Sequence, residues 1–257
     1  MKTLPVMILL AALLAPAAQA SEKVSTKNLR EFVVLDDGAE KGTMTFRWAT
    51  GPSGGVFGFS NMELKSGRTN YLVRTHLQTR ADRVMEKYKK WIGRDGAEPE
   101  LIAFWKDPKV RVVRRGHDKF TKNVQPPSTF VVVDPEAPYL HQETVRLLLA
   151  SGQDSLDVQV LLAPEGRLDK VKASKIGPCI MQRDGQTLDL FRVGISGADT
   201  LELCVDNAGD IWWIWQKGRE FLRKGAKLLQ PEERPAQGKP AEKDPQAPAS
   251  KPLPDED

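Results

Sequence analysis

The sequence predicts a mainly β fold, an antiparallel meander forming a half-barrel or open barrel with one helix packed across it. Apolar and polar residues alternate with a period of two in many short runs, the mark of strands with one buried face. Turn-forming residues separate these runs at intervals of about 8–12 residues, as in sandwiches and barrels. One stretch carries a helical period instead.

In chain order, Thr43 to Trp48 sets Met44, Phe46 and Trp48 on one face against Thr43, Thr45 and Arg47 on the other. The Gly51-Pro52-Ser53-Gly54-Gly55 segment lacks the Gly-Lys-Ser/Thr ending of a phosphate-binding loop and reads as a hairpin connection. Tyr71, Val73, Thr75 and Leu77 then alternate with Leu72, Arg74, His76 and Gln78. Ala81 to Ile92 fits either period; its ending at Gly93-Arg94-Asp95-Gly96 favours a strand. Glu100 to Trp105 and Val110 to Val113 flank the turn Lys106-Asp107-Pro108-Lys109. Glu136 to Ala150 places Val145, Leu148 and Leu149 at helical spacing, with Pro138 suited to a first turn. Leu156 to Leu162 and Leu168 to Ile176 flank Pro164-Glu165-Gly166. Thr187 to Val193, Thr200 to Asp206 and Ile211 to Trp215 complete the meander.

The ends of the chain read differently. Met1 to Ala20 has a basic Lys2, an apolar run from Leu4 to Leu14 and a closing Ala18-Gln19-Ala20. This is the pattern of a secretory signal cleaved before Ser21, and its apolar core falls short of the roughly 20 residues that span a bilayer. The mature chain has no further run of spanning length, so a transmembrane segment is not expected. Pro231 to Asp257 holds seven of the 18 prolines and no aromatic residue, so it is expected to stay disordered. Three parts result: a leader (1–20), one β-rich domain (21–230) and a Pro-rich tail (231–257). The domain is expected to work in the periplasm or as a secreted protein. The formal net charge of +4 includes Lys2 and a tail of four basic against seven acidic residues, which leaves the domain at +6. Both signs are interspersed, which points to anionic partners other than nucleic acid.

An exported chain makes a Cys179–Cys204 disulfide the default expectation. If Arg183-Asp184-Gly185 and Ser196-Gly197-Ala198 are both tight turns, however, the two cysteines sit on strands separated by a third. In a flat sheet that places their Cα atoms about 9–10 Å apart, beyond bonding distance, unless Gly177-Pro178-Cys179 folds back as a loop. No metal site, cofactor motif or catalytic signature is present: HExxH, GxSxG and CxxC are all absent. His76, His117 and His141 are scattered and read as surface or rim histidines. Arg111, Arg114, Arg115 and Lys119, with Lys122, form the densest basic patch. It reads as a solvated strand face that guards an edge, or as a site attracting anionic lipid or polysaccharide.

Ile211-Trp212-Trp213-Ile214-Trp215 is apolar on both faces of a strand, with Ile211, Trp213 and Trp215 on one side and Trp212 and Ile214 on the other. One face packs on the core. The other packs on a second layer, or lines a cavity with Trp213 and Trp215 as its wall.

The leader and meander, the turn from Gly93 to Leu101, the helix near Thr144 to Leu149 and the late hairpin Leu203-Cys204-Val205-Asp206-Asn207-Ala208-Gly209-Asp210-Ile211 resemble uncharacterised exported bacterial β proteins related to the half-barrel of the lipoprotein carriers. The resemblance spans Asn28 to Lys224. It implies a curved antiparallel sheet that shields acyl chains beneath a helix, with Trp213 or Trp215 on the cavity wall. Cys204 stands near where those proteins often carry an aromatic residue, and no family site transfers.

These readings favour a non-enzymatic periplasmic protein that binds an apolar or amphipathic ligand, a lipid or lipoprotein. The alternative is a structural or interaction module of the cell envelope that contacts an envelope protein through its sheet edges and tail. An envelope hydrolase would need one of the three histidines to meet carboxylates in a pocket.

Overall fold

A computed structural model of the chain describes residues 29–229, except 67–68, 94–97 and 117. The leader, the Pro-rich tail, most of the Gly93 to Ala97 turn and His117 lie outside the described residues.

The first meander comprises β1 (Leu29–Asp36), β2 (Ala39–Thr50), β3 (Val56–Ser66), β4 (Thr69–Thr79), β5 (Met85–Ile92), β6 (Leu101–Lys106), β7 (Lys109–Arg114) and β8 (Phe120–Val124). A short strand β9 (Val131–Val133) leads into a 3-10 turn (Pro138–Leu140) and helix α1 (His141–Ser151). The second meander is β10 (Ser155–Leu162), β11 (Arg167–Arg183), β12 (Gln186–Gly197), β13 (Leu201–Val205), β14 (Ile211–Gln216), β15 (Arg219–Arg223) and β16 (Ala226–Leu228). The helix begins at His141 rather than near Glu136, because Pro138 starts a tighter turn first. It ends at Gly152, whose φ of 67° gives the left-handed cap that glycine adopts without strain. The Ala81 to Ile92 segment becomes strand only from Met85, after a turn closed by Arg80 N–H donating to the Val84 carbonyl at 2.9 Å.

The strands form one mixed sheet in the order β8-β7-β6-β5-β4-β3-β2-β1-β15-β14-β13-β12-β11-β10-β9. Only the β9–β10 pair is parallel among these ladders. The order forces curvature. β8 and β9 are opposite edges of the sheet, yet residues 125–130 join them, a reach of roughly 25 Å. The edges therefore come close: the Lys122 ammonium donates to the Glu165 carbonyl at 2.8 Å, and Phe130 stacks on Trp105 at 6.1 Å. The sheet remains open all the same, with no β8–β9 ladder.

Alternation decides which face is buried. Met44, Phe46 and Trp48 turn inward as the sequence predicts, joined by Phe32, Val73 and Leu101. Helix α1 lies over this face and buries Val145 and Leu148 against it. A second core, of Cys179, Met181, Leu190, Cys204, Trp213 and Ala226, sits on the opposite face of β13–β15. The register shows the separation: Leu203, Ile214 and Phe221 form a row of the first core, while Cys204, Trp213 and Leu222 form the adjacent row of the second. β16 follows β15 but pairs with β11, so β11–β16 wrap around the second core.

Two expectations change here. Cys179 on β11 and Cys204 on β13 are indeed separated by β12, yet they are disulfide-bonded with Cα atoms 5.9 Å apart. The Gly177-Pro178-Cys179 segment does not leave the sheet as a loop. A register shift between Lys175 and Gly177 lets β11 run on for 17 residues while the sheet coils, and coiling shortens the chord between strands two apart. The second change is in β14. Its register slips between Val205↔Ile211 and Cys204↔Trp213, leaving Trp212 as the extra residue of a bulge. Ile211 and Ile214 consequently join the first core, and Trp212, Trp213 and Trp215 pack with the second.

Candidate functional site

The end of α1, the β4–β5 turn and β9 enclose an apolar cavity of about 310 Å³. Leu77, Val84 and Met85 form one wall, Phe130 and Val132 a second, and Leu147 with Ala150 the helical side. Period two supplies the sheet residues and period 3.6 the helical ones, so three separate local patterns converge on one space. Asp82, Arg83, Thr129 and Ala150 are exposed at its margin.

Arg83 and Arg146 line this cavity and also a second, charged one of about 180 Å³. Arg30, Trp48, Thr50, Val56 and Asp210 complete the smaller space. Glu143 ties the shared wall together, accepting from Arg146 at 2.8 Å and from Arg83 at 3.4 Å. A hydrogen-bonded chain fixes the charged side: the Trp48 indole donates to Gln142 Oε1, the Gln142 amide donates to Asp210 Oδ1 at 3.1 Å, and Asp210 pairs with Arg30. Apolar volume and cationic volume therefore adjoin, divided by two guanidinium groups. Such a site suits a molecule with an apolar body and an anionic end.

A buried polar network holds the segment that carries α1. The Lys90 ammonium, nearly inaccessible, pairs with Asp134 at 3.0 Å and Glu136 at 2.7 Å. Tyr88 donates to Asp134 at 2.9 Å and Tyr71 to Glu136 at 2.6 Å. Burial alone would lower the Lys90 pKa, but the two carboxylates hold it above its ordinary value. Burial pushes Glu136 up, and Lys90 outweighs this to leave it below the usual carboxylate range. Burial and the neighbouring carboxylates raise both tyrosines, keeping them neutral donors.

The structure places the residues singled out in the sequence as follows. Trp213 is 7% exposed and packs with the disulfide in the second core. Neither it nor Trp215 lines the cavity beneath α1, whose walls are other residues. The basic patch is compensated in part: Arg114 lies 3.8 Å from Glu100 and 4.0 Å from Asp118, and Arg115 pairs with Glu98. Arg111 and Lys119 are exposed. His141 does meet a carboxylate, Asp199 at 3.3 Å, with Gln216 donating to the same carboxylate at 3.0 Å. Thr144 stands 3.5 Å from the other imidazole nitrogen. His141 and Thr144 are both fully buried, so this hydroxyl–imidazole–carboxylate row faces protein and ties α1 to β14. His76 lies on the outer face of β4. Among the described residues no cluster of His, Cys, Asp and Glu could hold a metal ion, and no helix is long and apolar enough to cross a membrane. Sequence reasoning missed Arg83, Phe130, Arg146 and Leu147. The adjacent Arg146-Leu147 pair on the helix was the one local hint, a cation next to an apolar position at the end of an amphipathic face.

No family model matches the chain, and no curated protein matches it. Solved structures similar to it include two bacterial proteins. One is a beta-barrel-like protein of a domain of unknown function, DUF1849, from Brucella abortus, with a TM-score of 0.50 and 10% identity over 79% of this chain and 97% of that one. The other is a DUF1089 family protein from Pseudomonas aeruginosa, with a TM-score of 0.39 and 14% identity over 66% of this chain and 87% of that one. At 10% identity, the first likeness establishes a β-barrel-like fold shared with a bacterial protein of unknown function, and nothing finer.

Proposed function

We propose that this chain is a non-enzymatic exported protein that binds an amphipathic, anionic ligand, a lipid or a lipid-bearing protein, beneath α1. The observation that carries the reading is the wall of Arg83 and Arg146 shared by the apolar cavity and the charged one. An acyl chain lies against Leu77, Met85, Phe130 and Leu147, and its acidic head meets the arginines. The secretory pattern of Met1 to Ala20 and the resemblance to the lipoprotein-carrier half-barrel support the same reading. The cavity lies under α1, in place of the Trp213/Trp215 wall expected from the sequence.

Native mass spectrometry of gently purified protein, followed by titration with palmitate, tests this. The expected result is a bound mass in the lipid range and saturable palmitate binding. Ala150→Trp, which fills the cavity from its exposed margin, should weaken binding by about ten-fold or more. Palmitate binding unchanged by Ala150→Trp in a folded variant overturns the proposal.

A further inference from the structure

The sheet face turned away from the first core carries a feature that the cavity beneath α1 leaves unused. Cross-strand register builds three adjacent rows on β2–β5. One runs Arg47, Phe59, His76, Lys89; beside it on one side runs Thr45, Asn61, Arg74, Trp91, and on the other Ala49, Phe57, Gln78, Lys87. Rows lie about 7 Å apart and strands about 4.8 Å apart. These positions supply four permanent cations and a histidine, and the Glu86 carboxylate, which accepts from Gln78 at 2.7 Å, borders the third row. A cleft of about 510 Å³ opens over the first two rows, lined by Arg47, Phe59, Asn61, Arg74, His76 and Trp91.

The side chains are held in place by packing. The His76 ring stacks on Phe59 at 4.4 Å, and the Arg47 guanidinium covers Phe59 at 5.1 Å. Lys89 lies 5.7 Å from the centre of the Trp91 ring. The His76 Nε2 atom is buried without a hydrogen-bond partner among the described residues. Arg47, Lys87 and Lys89 make no ion pair among the described residues, unlike Arg114 and Arg115 of the basic patch. Arg47, Lys87 and Lys89 repel one another across these rows, and a multiply charged anion relieves that repulsion.

We infer that the cleft lined by Arg47, Arg74 and His76, with Lys89 beside His76 on the neighbouring strand, binds a phosphate group carried by a larger ligand. Phosphate matches the set because it brings up to two negative charges and several acceptor oxygens to cations spaced a few ångströms apart. The volume exceeds that of the anion, and Trp91, which lines the cleft, offers its ring to whatever the phosphate is attached to. The site is on the opposite face of the sheet from the cavity beneath α1 and is independent of it.

Titration of the full chain with pyrophosphate, observed through the histidine ring resonances by NMR, tests the inference. Burial first, then Lys89 and Lys87, hold the His76 pKa below its ordinary value in the free protein. A bound dianion reverses that bias, so the His76 titration midpoint should rise saturably with pyrophosphate. Lys89→Glu, an exchange on the open face of β5, should weaken pyrophosphate by about ten-fold or more, and Lys89→Arg should restore it. Vesicles of phosphatidylglycerol in phosphatidylcholine separate the sources. Vesicle binding that pyrophosphate displaces and Lys89→Glu removes identifies a lipid headgroup; pyrophosphate binding without vesicle binding identifies a soluble phosphate compound. A His76 midpoint indifferent to pyrophosphate, or affinity unchanged in a folded Lys89→Glu protein, overturns the inference.

Discussion

Cys179 and Cys204 stand on strands separated by a third, and their Cα atoms are nevertheless 5.9 Å apart. The disulfide therefore spans a coil of the sheet rather than a neighbouring pair of strands. It locks the far end of the β11–β12 hairpin to β13, with Trp213, Met181 and Ala226 packed around it.

Reducing this bond releases a loop with a sequence separation of 25 residues, for which chain entropy alone gives about 3 kcal/mol. The Cys179→Ala/Cys204→Ala protein should lose about that much stability in urea unfolding, and wild type in a strong reductant should match it. The second core is the part expected to loosen first, seen as a red shift of Trp emission, while the first core persists. Equal stability of the oxidised and reduced proteins would count against this account.

A second prediction concerns Lys90. Its ammonium joins the fully buried Asp134 and the partly exposed Glu136, so deleting it strands the buried Asp134 carboxylate. Lys90→Met should cost about 3–5 kcal/mol. Arg115→Ala, which breaks an exposed pair with Glu98, should cost about 1 kcal/mol or less. The combined Lys90→Met/Asp134→Asn/Glu136→Gln protein should recover part of the loss, since no charge is then left buried. A Lys90→Met protein as stable as Arg115→Ala in urea titration would contradict this.

The same residues show what was legible in the sequence. Strand positions were, because burial on one face writes itself as alternation: Met44, Phe46 and Trp48 point inward as expected. The helix was legible too, although Pro138 delays its start to His141. The orientation of the Trp run was not, because a bulge at Trp212 inverts the facing of everything before it and leaves no mark on composition. The cysteine spacing failed for a related reason: strand separation was reckoned in a flat sheet, and coiling is a property of the whole sheet. The cavity beneath α1 was hidden because Arg83, Phe130 and Arg146 belong to a turn, a loop and a helix that only the fold brings together.

The third prediction follows from protonation. Glu136 and Asp199 titrate below their ordinary values of 4.5 and 3.8: burial pushes both up, and the Lys90 ammonium beside Glu136 and the His141 and Gln216 hydrogen bonds to Asp199 outweigh it. Each binds its proton less readily folded than unfolded. Their contributions are therefore complete above the ordinary values and are lost as pH falls through the lower, folded ones. His76 acts in the same direction from a different cause: burial and then Lys89 and Lys87 depress its pKa below 6.5, so stability declines as pH falls from there. Lys90 has the opposite sense. Its pKa is raised above 10.5, so its contribution is complete below that value and lost as pH rises through the folded one. Urea midpoints measured across the acid and alkaline ranges should form a plateau with a shallow decline below about pH 6.5 and a steeper one below about pH 4.5. Asp199→Asn should flatten the steep acid limb, and Lys90→Met should remove the alkaline dependence assigned to the ammonium. An acid limb as steep in Asp199→Asn as in wild type would place the titrating carboxylates elsewhere.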